Sequence, residues 1–275
     1  MGYLKFRTYH QVEGADVSDL GGQVGRQRSR VTERLAGIDR VVAVMSGKGG
    51  VGKSYVTAGI ALAAAERGCR AGVLDADLAG PTTARMLGAQ GPLTVDAGGV
   101  RPASGSLGLK VFSTDLLLAE GAPLRWKGEG NEPFVWRGAL EAGALREFLS
   151  DVVWGELELL LIDLPPGTSR LQDLADLVPD LAGLIAVTIP TEESFQAVSR
   201  AMRAARDARL HILGVVEDMA GYRCPDCGVT KPLFPGEAGD RLAREFEVPL
   251  LARIPFAPSD GPPQRLTRLA EAILP

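Results

Sequence analysis

Short, almost continuously apolar runs recur along the chain from Arg40 onward: Val41–Met45, Ala71–Leu74, Lys110–Ser113, Leu157–Ile162, Leu184–Ile189, Ile212–Val216 and Leu250–Ile254. Runs without in/out alternation belong to strands covered on both faces. Between them lie longer segments with helical spacing, Lys53–Arg67, Leu140–Leu149, Ser194–Ala208 and Gly239–Phe246. Strand and helix alternating in this way predict βαβ units with right-handed crossovers. The fold class that follows is α/β, a doubly wound, mainly parallel sheet flanked by helices. The stretch 88–108, dense in Gly and turn formers, predicts a hairpin inserted between the second and third strands. Residues 1–36 break the rhythm. They are polar and rich in Gly and Arg, and read as a mobile or loosely docked leader ending in a short helix over Arg28–Leu35. Residues 37–275 form the α/β domain.

Composition narrows the class. Of 275 residues, 45% are hydrophobic and 23% charged, which fits a soluble globular chain. A net charge of -4 argues against a nucleic-acid partner, which calls for a basic face. The longest apolar stretches, Val56–Ala65 and Leu159–Ile162, fall far short of the ~20 residues of a membrane span. Three cysteines without a secretion signal do not make a disulfide framework. The cytoplasm is the expected compartment, with neither nucleic acid nor membrane as partner.

Gly47-Lys48-Gly49-Gly50-Val51-Gly52-Lys53-Ser54 follows the first strand and opens the first long helix. That is the context of a polyphosphate-binding loop. Glycines let backbone N–H groups turn inward, and the helix N-terminus adds positive partial charge. Residues 47–52 thus form a cradle, Lys53 supplies a point charge to the β- and γ-phosphates, and the Ser54 hydroxyl suits Mg²⁺. Lys48, early in the loop, is placed to follow the charge that develops on a transferred phosphoryl group, much as an arginine finger does. ATP and Mg²⁺ are the expected cofactors.

Three carboxylates belong on the same side. Asp75 and Asp77 end the second strand, and Asp163 ends the most hydrophobic one. Ligands of open parallel sheets bind outside the carboxyl ends of the strands. Asp163 suits the task of holding the Mg²⁺ shell, and Asp77 that of orienting or deprotonating the attacking water. An Asp closing a strand serves also as a turn or helix cap, the alternative for each of them.

Cys224-Pro225-Asp226-Cys227-Gly228 falls in a loop at 220–235. Two thiolates at this spacing reach one metal, but one pair is half of a tetrahedral site. Two copies across a two-fold axis supply four thiolates, enough for zinc or a [4Fe–4S] cluster. A thioredoxin-like redox pair fits less well, because the pair does not open a helix after a strand. A turn with two uninvolved thiols remains the plain alternative. His10 and His211 have no metal-ligand company, and Trp126, Trp136 and Trp154 read as packing for a helical insert.

Together these segments resemble the Mrp/ApbC family of iron–sulfur carrier ATPases, relatives of the MinD/ParA group of P-loop NTPases with two lysines in the loop (the SIMIBI type). The likeness runs from about Gly37 to the C-terminus and rests on Ser46–Ser54, Leu74–Pro81, Val135–Gly138, Trp154–Leu157, Ile162–Thr168, Gly214–Met219 and the cysteine pair. It implies a homodimer that sandwiches two nucleotides, with Lys48 reaching the partner's nucleotide. It also implies that Cys224 and Cys227 of both subunits hold one labile [4Fe–4S] cluster, delivered to apo-proteins while slow ATP hydrolysis gates loading and release. Zinc at the same thiolates, in a metallochaperone, is one alternative. A positioning ATPase like MinD or ParA is another, whose basic C-terminal helix is poorly matched by Gln264–Leu274. The family's Thr at position 55, whose hydroxyl touches the α-phosphate, is Tyr55 here. Asp218 stands where the family has an Asn that reads adenine. A carboxylate there accepts from the adenine amino group but cannot donate to N7, so GTP stands beside ATP. Ser169-Arg170 replaces Gly-Asp in the segment expected to respond to the γ-phosphate.

Overall fold

The computed structural model of the chain describes residues 20–91, 93–96, 98–117, 134–257 and 266–274. His10, Trp126 and the start of the polar leader lie outside them. Helix α1 (Leu20–Leu35) begins well before the expected Arg28. Its apolar stripe is sparse, but Leu20, Val24, Val31 and Leu35 keep helical spacing through the polar sequence. Val31 is fully buried, and Arg34 Nε donates to Ser150 O at 3.1 Å, so this end of the leader is docked on the domain.

β1 (Val41–Ser46), α2 (Lys53–Glu66), β2 (Ala71–Asp75) and the single-turn α3 (Thr83–Met86) follow. β3 (Thr94–Asp96) and β4 (Gly99–Arg101) pair as the hairpin expected within 88–108 and form a sheet of their own. β5 (Ala103–Ser104) returns antiparallel onto β6 (Lys110–Phe112) at the edge of the main sheet. Then come α4 (Phe134–Asp151), β7 (Leu159–Asp163), α5 (Leu171–Leu177), β8 (Gly183–Thr188), α6 (Glu192–Asp207), β9 (Ile212–Arg223), β10 (Thr230–Lys231), α7 (Ala238–Glu245), β11 (Leu250–Phe256) and α8 (Thr267–Ile273).

The main sheet runs β10-β9-β8-β1-β7-β2-β6-β5, with β11 also paired to β9. Every pairing is parallel except β9 with β10 and β5 with β6. From β1 the chain moves toward β2, and from β8 it moves the other way, toward β9. The crevice between β1 and β8 is therefore the topological switch point, where ligands of such sheets bind. β1, β2, β7 and β8 are buried at every position, which is why their sequences do not alternate. α2 is also apolar nearly all round; its alanines and Gly59 let it lie close under the sheet. Trp154, fully buried, packs against the face of β2 at Gly72. No helix among the described residues is long and apolar enough to cross a membrane.

One strand departs from the sequence expectation. β9 does not stop at Val216 but runs to Arg223, because β8, β11 and β10 in turn supply hydrogen-bond partners beyond its apolar core. The charged Glu217 and Asp218 conceal this continuation. The cysteine pair consequently lies in the turn between β9 and β10 rather than in a free loop.

Candidate functional site

β1 delivers the chain to the carboxyl edge of the sheet, where residues 47–52 turn into α2. The Ser46 hydroxyl donates to Lys48 O at 3.0 Å and fixes the start of the turn. Lys48 is half-buried, whereas Gly49 and Gly50 are exposed at the mouth. Gly52 caps α2 in the left-handed region, at φ 83. A Cβ there would stand 1.7 Å from Asp218 Oδ2, so both conformation and close approach demand glycine.

Behind the loop is a tight polar knot. Asp163 is fully buried and accepts from Lys53 Nζ at 2.8 Å, from Ser54 Oγ at 2.5 Å and from Thr57 Oγ1 at 3.0 Å. Lys53 is itself buried, and its ammonium lies 3.9 Å from Asp77 Oδ2 on another side. Parallel register does the aligning: Asp163 sits opposite Val44 of β1 and Asp75 of β2. Thr57 is a participant that sequence reasoning passed over. Its signal is a hydroxyl one helical turn after Lys53, inside the otherwise apolar stretch Val56–Ala65 of the helix. The Ser54 hydroxyl and the Asp163 carboxylate are hard oxygen donors side by side, a donor set that fits Mg²⁺ completed by phosphate and water.

Asp75 and Asp77, paired in the sequence, have different settings. Asp75 is buried and accepts from the amides of Asp77, Thr82 and Thr83 and from the Thr83 hydroxyl, at 2.9–3.1 Å. It shapes the turn after β2 and the start of α3, the cap role open to it from the sequence. Burial, and after it the neighbouring Asp163 charge, push its carboxyl upward. Of these two, Asp77 is the one whose carboxylate faces Lys53, at 3.9 Å.

Asp218 is carried to the loop by β9. Burial pushes its carboxyl up to about 6. The sequence reading gives this residue to the base; the fold sets its carboxylate against the phosphate-loop turn at Gly52. Glu217 serves a different contact, accepting from Gly239 N at 2.6 Å at the start of α7. Tyr55 is half-buried on α2 and packs on the core. Arg170 is buried at the N-terminal end of α5 and pairs with Asp173 at 3.1 Å.

Cys224 and Cys227 are free thiols. Gly228 N donates to Cys224 O at 2.9 Å, and Cys224 N to Val229 O at 3.0 Å, closing the turn. The amides of Cys227 and Asp226 point at the Cys224 sulfur and lower its pKa, which favours thiolate. Among the described residues no group of three or more His, Cys, Asp or Glu side chains is arranged to hold a metal.

The family model described as ParA: NUBPL iron-transfer P-loop NTPase matches residues 37–262. The iron-sulfur cluster carrier protein of Saccharolobus solfataricus is 40% identical over 251 residues, covering 90% of this chain and 82% of that protein. The cytosolic Fe-S cluster assembly factor CFD1 of Saccharomyces cerevisiae is 38% identical over 236 residues, covering 82% and 76%. Among solved structures, the nucleotide-binding protein of Archaeoglobus fulgidus in complex with ADP superposes with a TM-score of 0.68 at 35% identity, covering 89% of this chain and 91% of that one. The cell division ATPase MinD of Pyrococcus furiosus, 23% identical with a TM-score of 0.57 over 86% and 98%, shares the fold. With a phosphate loop at the switch point and a free cysteine pair inside the matched span, this chain belongs to the NUBPL iron-transfer P-loop NTPase family.

Proposed function

We propose that the protein is a nucleotide-gated iron–sulfur cluster carrier, holding a labile [4Fe–4S] cluster as cargo and passing it to apo-proteins. The observation that carries this reading is the free Cys224/Cys227 pair, set in the turn that ends the strand touching the phosphate loop, with backbone amides lowering the pKa of Cys224. The relatives named as cluster carriers and assembly factors support it. One chain offers two thiolates and the cluster takes four, so the working form is a homodimer with the pairs facing across its axis. The yeast relative named as cytosolic supports the same compartment here.

In this reading the loop amides of residues 47–52 and Lys53 hold the triphosphate of ATP, and Lys48 reaches the partner's nucleotide. Ser54 and Asp163 are the ligands for Mg²⁺, which when bound neutralises phosphate charge. Thr57 keeps the Asp163 carboxylate aimed. Asp77, beside Lys53, orients the attacking water. Hydrolysis is slow and serves as a switch between two subunit arrangements. Asp218, set against the loop turn at Gly52, acts at the phosphate end of the site rather than on the base.

Anaerobic reconstitution with iron and sulfide tests the cargo. Ultraviolet–visible and Mössbauer spectra of the wild type are expected to show a [4Fe–4S] cluster, one per dimer, absent from the Cys224→Ala/Cys227→Ala chain. No cluster, or zinc retained in its place, would overturn the carrier reading.

A further inference from the structure

β9 joins the phosphate loop to the cysteine pair along one strand. Asp218 lies against Gly52, and Cys224 follows six residues later in the sequence. The path is not regular. Met219, next to Asp218, has φ 52, in the left-handed region. A residue with a Cβ is crowded there by the following carbonyl, and such strain gathers at switch regions. The register has the same fault. Ile254 pairs with Asp218 and Phe256 with Tyr222, so two steps of β11 are matched by four of β9. β9 therefore bulges between its contact with the loop and its contact with the hairpin.

Both sides of the bulge are held. Before it, Val215, Val216 and Glu217 pair with β8 on one side and β11 on the other. After it, Tyr222 and Arg223 pair with Lys231 and Thr230, and the Tyr222 ring lies 6.4 Å from that of Phe256. Gly221 admits β10 at close range, since a Cβ there would stand 2.8 Å from Lys231 O. Two firm segments thus meet at a strained link.

We propose that Met219 is a positioning residue for the cysteine pair: its left-handed backbone is a two-state joint through which the phosphate loop, acting on Asp218, re-aims the β9–β10 hairpin. Rotating Met219 into the extended region draws out the bulge. Two extra residues then advance the hairpin by about 7 Å along the strand. A shift of two residues keeps every side chain on its own face, so the hairpin moves without turning over. The purpose given to this movement rests on the carrier reading; the mechanics do not.

The test is alkylation of the reduced, cluster-free full chain by iodoacetamide, followed residue by residue by mass spectrometry. Rates are measured without nucleotide, with saturating Mg-ADP and with a saturating Mg-bound non-hydrolysable ATP analogue. Cys69, at the junction before β2, serves as internal reference. In the wild type the Cys224 and Cys227 rates are expected to follow the nucleotide while the Cys69 rate does not. Met219→Gly removes the penalty on the left-handed state, a factor of roughly ten in the conformational equilibrium, and β-branched Met219→Val increases it. The two variants are expected to shift the nucleotide-free rates to opposite sides of wild type and to respond less to nucleotide. Asn also tolerates the left-handed region, so Met219→Asn must behave like the glycine variant and replaces it if that chain does not fold. A wild type indifferent to nucleotide, or variants that respond as the wild type does, would overturn the joint. Cysteines that follow the nucleotide in a chain that binds no cluster would overturn the carrier reading and leave the joint standing.

Discussion

Gly52→Ala adds one methyl group where the phosphate loop becomes α2, and two separable penalties follow. The backbone there has φ 83, which costs a residue with a Cβ about 1–2 kcal/mol. The new Cβ would also stand 1.7 Å from Asp218 Oδ2 and 2.7 Å from its Cγ. Relieving that clash displaces the carboxylate or the loop, and overpacking of this kind costs about 1–3 kcal/mol. The single substitution should therefore destabilise the chain by about 2–5 kcal/mol in urea unfolding followed by circular dichroism. Nucleotide affinity should fall in parallel, because the loop amides are displaced. Asp218→Ala removes the two offending atoms and leaves its own Cβ 3.2 Å from the new one, tight but tolerable. In the double variant the steric part vanishes and the backbone part stays. The double-mutant cycle should then show a coupling of about 1–3 kcal/mol. Effects that add to within about 0.5 kcal/mol would refute the contact between β9 and the loop. The joint at Met219 would fall with it.

Asp218 also predicts a pH dependence. Its carboxyl is raised from 3.8 to about 6 by burial, so the stability it contributes is present below about pH 4 and lost as pH rises through 6, by up to about 3 kcal/mol. The Asp218→Asn chain should lack this loss, and a constant difference between the two chains in urea unfolding across that range would contradict the burial argument. Asp163→Asn leaves the buried Lys53 ammonium without its 2.8 Å partner and should cost about 3 kcal/mol or more. The same variant should lose the Mg²⁺ dependence of nucleotide binding by calorimetry; if that dependence survives, Asp163 is not a ligand. Thr57→Val keeps shape but removes the hydroxyl at Asp163, an expected loss of about 1–2 kcal/mol that Thr57→Ser largely restores. Equal stability of all three chains would mean the hydroxyl serves only its own helix.

Contiguous residues encode whatever their own spacing can specify. The phosphate loop is eight consecutive residues between a strand and a helix, so its spacing already is its geometry. The buried strands announced themselves because both faces need apolar side chains, and strand ends located Asp75, Asp77 and Asp163 on the ligand side. The Cys-x-x-Cys pair was legible for the same reason. Where polar residues interrupt the pattern the sequence was misleading: α1 extends through a polar, Gly-rich stretch, and β9 continues past Glu217 and Asp218. Which distant residues meet is set by the order of strands in the sheet. Lys53 and Asp163 are 110 positions apart, and strand order, not spacing, sets them 2.8 Å from each other. The same order turned Asp75 into an anchor for its own turn, drew Thr57 into the shell of Asp163 and laid Asp218 against Gly52. Local backbone demands are written in neighbouring residues. Contacts across the sheet depend on the order in which parallel strands pair, which side-chain periodicity cannot express.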